Sequence, residues 1–481
     1  MVLISLGNNS RETGVSLDLD NPSINQTISI PLPAAVAEIL QTLISHGFEA
    51  YVVGGCVRDS LLGLPVKDWD ITTGAAPWDV RGCFPHNRIL DYGVKHNTLA
   101  ILTDIGPVEV TTYRGNRAEE QLPEKNLRQD LRRRDFTINA LAYHPDHGLI
   151  DHFGGLTDLE LRTLRGTEDP DARMREDPVR ILRALRLAAT KGFRIEPNTR
   201  DALLRRGKLL RQSAKERITA ELMLFLTAPT LITFLLDYRS VLAVILPEIV
   251  PSFDFDQRTP YHCYDVWRHT AESVECAAAE APYPLDAADI PLLRLALLFH
   301  DLGKPACWSL DSRGVGHFYG HAEVSAELTA TALARLRIDN KTAAAVTTLV
   351  RYHDTPIAAS PPKVLRWLRT LGPEDFCRLL HIKKADTLAH HPDCHKRLHE
   401  VAQIYETFRA VQAHDQCFTL RDLQITGDDV IAAGVPAGPG VGMVLETLLG
   451  KVIEGICTNT RKALMVELRK EMGESIPTGL R

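Results

Sequence analysis

The 481-residue chain lacks long apolar runs and paired cysteines. No stretch of eighteen apolar residues is uninterrupted, and residues 1–32 are polar rather than basic and then hydrophobic. We therefore expect neither a membrane span nor a secretion signal. The nine cysteines are scattered, odd in number and form no CxxC pair, which argues against a disulfide framework or a zinc ribbon. These absences predict free thiols and a cytoplasmic location.

Compositional bias is also absent, since 44% of the residues are hydrophobic, 24% are charged and the net charge is −6. Such a composition predicts a folded protein with several domains or subdomains. Residues 1–30 are rich in Asn, Ser, Gly and Asp and are predicted to be a loosely ordered leader. Strand-like runs separated by Gly, Pro and Asp turns follow at residues 49–53, 69–72, 98–102 and 108–112.

Beyond about residue 158 the strand signals largely cease, and apolar residues recur at three- and four-residue steps from residue 178 onward. The pattern predicts an α+β protein in which a small mixed α/β head precedes a long all-helical neck and body. The predicted segments are the leader, 1–30; the head, 31–165; the neck, 166–235; the body, 236–400; and a helical tail, 401–481.

The densest motif of the head is a strand that ends in Gly54 and Gly55 and opens into a helix, with Arg58 one turn further on. Glycines let backbone N–H groups approach an anion closely, and an arginine one turn into the helix can pair with that anion. Phosphate is the ligand that this arrangement suits. A Gly-Gly turn alone is weak evidence for a phosphate site. The residues that follow it make the prediction specific.

Asp68 and Asp70 lie two residues apart on a predicted strand, so both project from the same face. Like charges this close repel each other, and a divalent cation relieves the repulsion. Carboxylate oxygens suit Mg²⁺, which keeps waters and bridges to substrate phosphates. Glu109, flanked by apolar residues on a later strand, is the candidate third carboxylate. The three carboxylates together favour polymerase-like two-metal chemistry. A D-x-D motif on its own usually lies on a solvent-exposed strand and binds no metal.

The ordered combination GGxVRDxLLG at residues 54–63, followed by D-x-D, resembles the head of class II tRNA nucleotidyltransferases and bacterial poly(A) polymerases. The resemblance implies nucleotide transfer with Mg²⁺ held by Asp68 and Asp70. It extends to residues 130–140, where Arg134 and Asp135 match residues that contact the ribose and phosphates of the incoming nucleotide.

A second stretch similar to the family runs from residue 176 to 186 and contains Asp177, Arg180, Arg183 and Arg186. The resemblance implies that Asp177 and Arg180 read the base edge of CTP or ATP. An Asp accepts a hydrogen bond from an exocyclic amino group, and an Arg donates to a ring nitrogen or carbonyl. A spacing of three residues places the two near one another on a helix. Without the resemblance, a salt-bridged helix N-terminus would be the better interpretation.

The neck carries a local excess of positive charge. Between residues 173 and 217, fourteen Lys or Arg residues accompany five Asp or Glu residues, although the whole chain is net negative. Such a run is normally only a solvated helix face, but here it directly follows the stretch expected to read the base, where a polyanionic primer has to lie. Interleaved aromatic residues are absent, which favours recognition of the backbone and shape of a folded RNA, namely tRNA.

The helical half contains histidines and aspartates in the order H…HD…D. Imidazole and carboxylate ligands together bind a transition metal or Mg²⁺ and generate hydroxide for phosphoester hydrolysis. The series resembles the HD phosphohydrolase superfamily, and in long relatives this body implies phosphatase and cyclic phosphodiesterase activity. A divalent metal of undetermined identity is expected on His269, His300, Asp301 and Asp386, with His321 and His353 as further candidate ligands.

Two positions depart from the family pattern. The turn at residues 94–98 usually carries glycine before the threonine, so Asn97 must accept that backbone geometry, which Asn tolerates better than most residues. The segment 115–129 is short, whereas full CCA-adding relatives usually have a longer loop with a basic D-x-R-R-P-like stretch. This departure predicts efficient addition of two C residues and a slower or absent final A.

The sequence therefore predicts a template-independent nucleotidyltransferase that adds CCA to the 3′ end of tRNA from CTP and ATP, with an HD body. The alternatives are a CC-adding enzyme, a poly(A) polymerase, an HD hydrolase whose head merely binds RNA, and a catalytically silent tRNA-binding protein. The intact D-x-D disfavours the last two. No membrane partner is expected, and the sequence indicates no particular oligomeric state.

Overall fold

The computed structural model describes residues 23–25, 28–91, 97–113, 126–281, 284–413 and 418–472. The chain divides into two compact units, Met1–Ala228 and Pro229–Arg481. The first unit combines a mixed sheet with helices, and the second is almost entirely helical. This distribution confirms the predicted α+β fold class, in which a small mixed head precedes a long helical remainder.

A sheet of eight strands organises the first unit. Its strands are β1 (Ser23–Asn25), β2 (Ala50–Val53), β3 (Trp69–Thr73), β4 (Ile89–Asp91), β5 (Thr98–Thr103), β6 (Gly106–Thr112), β7 (Leu141–His144) and β8 (Gly148–Asp151). The strand order is β1-β8-β7-β2-β3-β6-β5-β4. Neighbouring strands are antiparallel except for β3 and β6, which are parallel. The four predicted strands form the centre of this sheet and part of one side.

The other four strands were not predicted from the sequence. Strands β7 and β8 are buried along their whole length, so they show no alternation of polar and apolar residues. Strand β1 lies in the leader and pairs with β8, with Ser23 opposite Asp151. The expectation of a leader without regular structure was therefore wrong at residues 23–25. Leader residues 1–22 and 26–27 lie outside the described part of the chain.

Nine helices of the first unit surround the sheet or continue from it among the described residues. They are α1 (Ala34–Ser45), α2 (Gly55–Leu61), α3 (Pro77–Cys83), α4 (Leu127–Arg132), α5 (Gly155–Glu160), α6 (Pro170–Glu176), α7 (Arg180–Lys191), α8 (Pro197–Arg206) and α9 (Lys215–Phe225), with 3-10 turns at Thr137–Asn139 and Gly207–Gln212. The short strands β9 (Thr163–Leu164) and β10 (Arg194–Ile195) pair in parallel. Helix α1 buries Val36, Ile39, Leu40 and Leu43, the apolar positions with helical spacing.

The second unit is a helical assembly. Its helices are α10 (Ile232–Asp237), α11 (Arg239–Ile245), α12 (Val266–Cys276), α13 (Ile290–Phe299), α14 (Lys304–Cys307), α15 (His321–Leu336), α16 (Asn340–Tyr352), α17 (Pro361–Ala389), α18 (Arg397–Ala413), α19 (Gly427–Ala432), α20 (Pro439–Ile453) and α21 (Arg461–Glu471). Four 3-10 turns and one hairpin interrupt them: Pro247–Ser252, Ala287–Asp289, Pro392–Cys394, Leu420–Asp422, and β11 (Ser309–Leu310) with β12 (Gly316–His317).

Helix α17 changes direction where Gly372 has a φ of 74° and Pro373 follows. The apolar core of the C-terminal half includes Val364 and Phe376 of α17 and Leu448 of α20. Within the described residues, every helix is too short or too polar to cross a membrane. The cytoplasmic location stays a prediction.

Candidate functional site

The carboxylates expected to bind metal in the head lie on the parallel strands β3 and β6. Asp70 is the register partner of Glu109, so the two side chains start from neighbouring Cα atoms on one face of the sheet. Trp69 and Ile71 are buried, as the alternation of the strand predicts, while Asp68 immediately precedes the strand and is exposed. The three carboxylates therefore lie along one stretch of two adjacent strands.

Asp70 is the most buried carboxylate of the three. Burial raises its pKa; the positive charge of Arg134 opposes this shift, and the negative charge of Asp68 adds to it. Among the described residues, the three His/Asp sets with ligand atoms within 4.8 Å of one another are all in the second unit. The head carboxylates are more widely spaced, but three oxygen-donor groups next to each other fit a hard divalent cation such as Mg²⁺.

A cavity of about 630 Å³ contains these carboxylates and every other site residue predicted for the first unit. This volume falls within the roughly 300–1,000 Å³ of small-molecule sites. The predicted residues in its wall are Gly54, Gly55, Arg58, Asp68, Asp70, Glu109, Arg134, Asp135, Asp177, Arg180, Arg183 and Arg186. Thr98, Thr111, Asp130, Arg133, Asn139 and Arg217, which the sequence analysis did not name, also line it. We call this space the head cavity.

The glycine turn forms part of the wall. Gly54 has a φ of 84°, which strains any residue with a Cβ, and a Cβ at this position would lie 2.9 Å from Nη1 of Arg134, so the arginine would have to move. Arg58 lines the head cavity too, but its guanidinium is held by both carboxylate oxygens of Asp59 and donates to Asn139 Oδ1 at 2.6 Å. Arg58 is therefore fixed by acceptors of the protein itself.

Arg134 and Asp135 are also anchored. Arg134 donates to Asp130 Oδ2 at 3.1 Å. The buried Asp135 accepts hydrogen bonds from Asn139 Nδ2 at 2.9 Å and from Arg183 Nη1 at 3.2 Å. Burial favours the neutral form of Asp135, but Arg183 and Asn139 outweigh it and lower the pKa. Asp135 is thus an ionised anchor for an arginine of α7.

Asp177 and Arg180 do not share a helix, so the expectation that helical spacing brings them together was wrong. Helix α6 ends at Glu176, Asp177 has extended φ and ψ angles of −144° and 96°, and α7 begins at Arg180. Pro178 explains the break, because a residue that precedes proline is disfavoured in the helical region. Both side chains nevertheless line the head cavity.

Helix α9, which the sequence analysis did not single out, holds one of the two residues expected to read the base, Asp177, and two arginines of α7. Glu221 accepts hydrogen bonds from Arg183 Nε at 2.9 Å and Arg186 Nε at 2.6 Å. Arg217 donates to both carboxylate oxygens of Asp177, at 3.1 and 2.6 Å. Burial raises the pKa of Asp177, but Arg217 outweighs it and lowers the pKa. The R-x-x-x-E spacing, which places both residues on one face of α9, was the available sequence signal.

The two departures from the family pattern have different outcomes. Asn97 has a φ of 51°, in the left-handed region, which confirms the geometry expected for a residue that replaces glycine. Residues 114–125, which make up most of the short loop at 115–129, lie outside the described part of the chain. The expectation of a slow final A therefore stays a prediction.

The second unit brings all six predicted histidines and aspartates into one buried cluster, around Asp301. Asp301 Oδ2 lies 3.2 Å from His300 Nε2 and 3.4 Å from His269 Nε2. Asp301 Oδ1 lies 3.4 Å from His321 Nε2 and 3.7 Å from His353 Nε2. Each carboxylate oxygen therefore faces two imidazoles. We call these residues the HD cluster: His269, His300, Asp301, His321, His353 and Asp386.

Five helices position the HD cluster. His269 lies on α12, His300 and Asp301 follow the end of α13, and Asp386 lies on α17. His321 begins α15, and His353 follows α16. Because four of these residues sit at the ends of three helices, their ring nitrogens and carboxylate oxygens converge on one point instead of following one helix face.

The electrostatics of the HD cluster are those of a cation site. Burial lowers the pKa of His269 to about 4, although Asp386 opposes the shift. Burial disfavours the protonated form of His300, but Asp301 and Asp386 raise its pKa to about 10. His300 Nε2 is buried and makes no hydrogen bond of good geometry with the described residues, while the buried Asp301 Oδ2 lies 2.7 Å from Lys304 Nζ. A buried polar atom without a partner is rare and costly, and a metal ion would satisfy His300 Nε2.

Two histidines that the sequence analysis missed adjoin the HD cluster. His262, His269 and His390 have ligand atoms within 4.8 Å of one another. His262 Nε2 also lies 3.5 Å from Lys304 Nζ, which forms a 2.7 Å ion pair with Asp301 Oδ2. Neither histidine stands in a sequence pattern that separates it from the other histidines of the chain, so only the packing of α12 against α17 reveals their role.

Three family models match the chain. They are the poly A polymerase head domain at residues 50–165, the probable RNA and SrmB-binding site of polymerase A at 192–252, and the putative tRNA nucleotidyltransferase domain 2 at 317–468. None of these three descriptions mentions an HD domain, so the HD resemblance enters only the proposals below.

Relatives of known activity match almost the whole chain. A CCA-adding enzyme of Levilactobacillus brevis is 31% identical over 434 residues, covering 89% of this chain and 95% of the relative. The structure of the Bacillus stearothermophilus CCA-adding enzyme in complex with CTP covers 91% of this chain and 97% of its own, with a TM-score of 0.62 and 27% identity. The Thermotoga maritima CCA-adding enzyme complexed with tRNA shares the fold, with a TM-score of 0.58 and 20% identity over 93% of this chain and 98% of its own. The chain therefore belongs to the CCA-adding enzyme family.

Proposed function

We propose that the head cavity is the catalytic centre at which this nucleotidyltransferase adds CCA to the 3′ end of tRNA from CTP and ATP. The observation that carries the proposal is the pairing of Asp70 with Glu109 in a cavity that also contains the glycine turn and the residues expected to read the base. The full-length relationship to CCA-adding enzymes favours this activity over poly(A) synthesis or a silent RNA-binding head.

CCA-adding enzymes are metal-dependent nucleotidyltransferases, and this chain has the groups to hold an ion. Asp68, Asp70 and Glu109 would bind it, and hard oxygen ligands make Mg²⁺ the proposed metal. When bound, the metal supplies charge that activates the primer 3′-hydroxyl and stabilises the departing pyrophosphate. The burial of Asp70 strengthens its interaction with such an ion.

The remaining wall of the head cavity holds the triphosphate. The absence of a side chain at Gly54 leaves room for the Arg134 guanidinium beside the carboxylates, where it can pair with a phosphate. Arg58 is fixed in the same wall by Asp59 and Asn139, so its charge is pre-oriented. Fixed donors need no reorganisation when charge develops, which is the source of their catalytic effect.

Base selection is assigned to Asp177 and Arg180. Arg217 keeps Asp177 ionised, so that it can accept a hydrogen bond from the exocyclic amino group that cytosine and adenine share. Arg180 donates to the backbone carbonyl oxygen atoms of Arg133 and Arg173 at 3.0 and 3.2 Å and to Glu176 Oε2 at 3.1 Å. These bonds hold its guanidinium at the wall of the head cavity, where Nε and the second N–H of Nη2 remain to donate to a base. Glu221 is assigned an indirect role: it positions Arg183 and Arg186 of α7.

The tRNA is assigned to the basic surface of the first unit. Arg194, Arg200, Arg205, Lys208 and Arg211 are exposed along the segment that follows α7. This segment overlaps the RNA-binding model matched at residues 192–252. Exposed cations without stacking aromatics suit contacts with the phosphate backbone, so binding should weaken steeply with salt.

Incubation with tRNA that lacks CCA tests the proposal. The purified chain, Mg²⁺, and labelled CTP or ATP are combined, and the products are resolved at single-nucleotide length. Incorporation of two C residues followed by A supports CCA addition. A long A tail would instead indicate a poly(A) polymerase. If the protein binds tRNA but incorporates no nucleotide, the head is an RNA-binding domain without transferase activity.

The HD cluster supports a second candidate function, phosphoester hydrolysis. The specific observation is that both oxygens of Asp301 face pairs of imidazoles and that the buried His300 Nε2 lacks a hydrogen bond of good geometry among the described residues. His269, His300, Asp301 and Asp386 would hold one divalent ion, and Asp301 with His321 and His353 would hold a second. Metal bound there would supply hydroxide for attack on phosphorus. Release of phosphate from nucleotide esters by the metal-loaded protein tests this function.

A further inference from the structure

A lysine of α17 binds the end of the helix that leads into His353 of the HD cluster. Lys383 Nζ donates to the backbone carbonyl oxygen atoms of His353 and Thr355, at 2.7 Å each. His353 directly follows α16, and the carbonyl groups at the end of a helix lack partners within the helix and attract a cation. Lys383 also lies one turn before Asp386 on α17. One side chain therefore connects two helices that each contribute to the HD cluster.

The orientation of the His353 ring depends on the same helix end. Its Nδ1 lies 2.7 Å from the carbonyl oxygen of Val350, in the last turn of α16, so Nδ1 carries the hydrogen and Nε2 is left to bind a cation. Nε2 lies 3.2 Å from His321 Nε2 and 3.7 Å from Asp301 Oδ1. The ring thus points at the other two proposed ligands of the second ion as long as the end of α16 keeps its place.

Two other imidazoles of the HD cluster are oriented in the same way. Nδ1 of His300 lies 2.6 Å from the carbonyl oxygen of Leu297, and Nδ1 of His321 lies 2.8 Å from that of Phe318. Such a hydrogen bond on the nitrogen remote from a metal fixes the ring, and its loss typically lowers metal affinity by about 10- to 100-fold. For His353, the carbonyl belongs to a helix end that Lys383 holds.

The charge of Lys383 and its hydrogen bonds have opposite effects on a metal ion. An ammonium group near a cation site repels the cation, so the charge alone would weaken metal binding. The bonds to the end of α16 keep His353 in place and therefore strengthen metal binding. The negative charges of Asp354 and Asp386 act on the ammonium and offset part of its charge. The effect on position is therefore expected to be the larger of the two.

We infer that Lys383 is a positioning residue that makes His353 a ligand of the second metal ion, the one assigned to Asp301, His321 and His353. The inference rests on the proposed phosphohydrolase function and adds to it the residue that decides whether the HD cluster holds one ion or two. Without His353 the second ion keeps only two protein ligands, whereas the other ion keeps all of its proposed ligands.

Lys383→Met tests the inference, with Lys384→Met as the matched control. Methionine keeps an unbranched apolar stem and removes the ammonium group. Lys384 Nζ donates to the carbonyl oxygen atoms of Ala279 and Glu280, in the segment after α12 that carries no residue of the HD cluster. All variants are made with Asp70→Asn as the parent, so that the head does not take up the added metal. Absorption during titration with Co²⁺ and mass spectrometry then report the ions of the second unit.

The parent protein should bind both ions. We expect Lys383→Met to bind the first Co²⁺ with unchanged affinity and the second at least about tenfold more weakly, and Lys384→Met to resemble the parent. His353→Ala should weaken the second ion too. Combining it with Lys383→Met should then have no further effect, because the lysine acts through this histidine.

Lys383→Gln, which keeps a polar end but is shorter than lysine, is the second variant should Lys383→Met unfold, and it should show the same loss. A second ion bound as tightly as in the parent, or more tightly, would overturn the inference, because only the repulsion by the lysine charge would then remain. An equal loss in Lys384→Met would overturn it as well, since the effect would belong to α17 as a whole.

The behaviour of the parent protein separates this inference from the proposal on which it rests. Binding of a single Co²⁺ by the parent would overturn the second ion site and with it the role of Lys383, while leaving a metal at the HD cluster. Failure of the parent to bind any Co²⁺ would overturn the phosphohydrolase proposal itself.

Discussion

Asp70 and Glu109 lie opposite each other on the only parallel strand pair of the eight-stranded sheet in the described chain. Register partners on neighbouring strands project to the same side of a sheet, so the two carboxylates share one face although other residues and turns separate them in sequence. The register of β3 against β6 is therefore what brings a D-x-D motif and a distant glutamate into one candidate metal site.

The Asp70→Asn variant should lose nucleotide addition and keep tRNA binding. The change preserves the size of the side chain but removes the charge that a divalent ion needs, so we expect incorporation of CTP to fall by about 10³-fold or more. Single-turnover incorporation and a tRNA binding assay measure the two effects. Asp104→Asn, in the exposed turn between β5 and β6, is the control and should be unaffected. Near-normal incorporation by Asp70→Asn would remove Asp70 from the metal site.

Glu221→Gln should damage nucleotide selection more than folding. The variant keeps one hydrogen-bond acceptor but loses the charge that holds Arg183 and Arg186, and we expect about a tenfold lower kcat/KM for CTP, equivalent to about 1.4 kcal/mol. Misincorporation of UTP should rise, as it should in Asp177→Ala.

Competition between CTP and UTP measures this selectivity, with the melting temperature as the check on folding. Glu216→Gln, on an exposed position of the same helix, is the control. Unchanged discrimination in Glu221→Gln would show that the arginines of α7 do not depend on α9.

The sequence identified the residues of the head cavity but not what holds them. The glycine turn and the D-x-D are local patterns, so their positions follow from the sequence. Glu221 and Arg217 act on residues about 40 positions away, and only the packing of α7 against α9 brings them together. Strands β7 and β8 were missed for a related reason, because burial on both faces removes the alternation that marks a strand.

In the second unit, too, the sequence predicted some residues of the site but not the residues packed around them. His269, His300, Asp301 and Asp386 could be predicted because their order H…HD…D resembles a known superfamily. His262 and His390 stand in no such motif, and their approach to the HD cluster depends on where α12 and the end of α17 lie. The sequence therefore predicts the candidate metal ligands but not the residues that surround them.

His300→Ala with Asp301→Ala should eliminate metal-dependent hydrolysis of 2′,3′-cyclic phosphates and spare CTP addition. Removal of the carboxylate that faces four imidazoles leaves no shared ligand for the metal ions. The metal content of the second unit, measured by mass spectrometry, should fall with the activity. The exposed pair His317 and Asp311, replaced by alanines, serves as a control that also removes a histidine–aspartate contact. Loss of both activities at an unchanged melting temperature would contradict separate sites.

Metal removal should distinguish the two sites by ligand chemistry. Dialysis against EDTA is expected to abolish both activities, after which Mg²⁺ alone should restore CTP addition because the head offers carboxylates. Hydrolysis should instead require a transition metal such as Mn²⁺ or Co²⁺, because imidazoles dominate the HD cluster. Restoration of hydrolysis by Mg²⁺ alone would show that the aspartates, not the histidines, determine the metal.

The loop at residues 115–129 governs the last prediction. Addition of A after two C residues requires Asp177 and Arg180 to accommodate a larger purine, and in the resembled family a flexible loop after the metal-binding strands assists this change. Here the segment has only fifteen residues, the last three of which begin α4, and its charges are mixed, with Arg117, Lys125 and Arg128 alongside Glu119, Glu120 and Glu124. A loop of this length has less reach and less attraction for phosphates than a longer basic one.

We therefore expect rapid addition of two C residues and a distinctly slower final A. A time course on tRNA lacking CCA, with both nucleotides present and products resolved at single-nucleotide length, measures the two rates. A plateau at two nucleotides that a grafted longer basic loop relieves would assign the delay to the loop. Rapid appearance of the three-nucleotide product would contradict this argument. It would show that the site can switch from CTP to ATP without a contribution from residues 115–129.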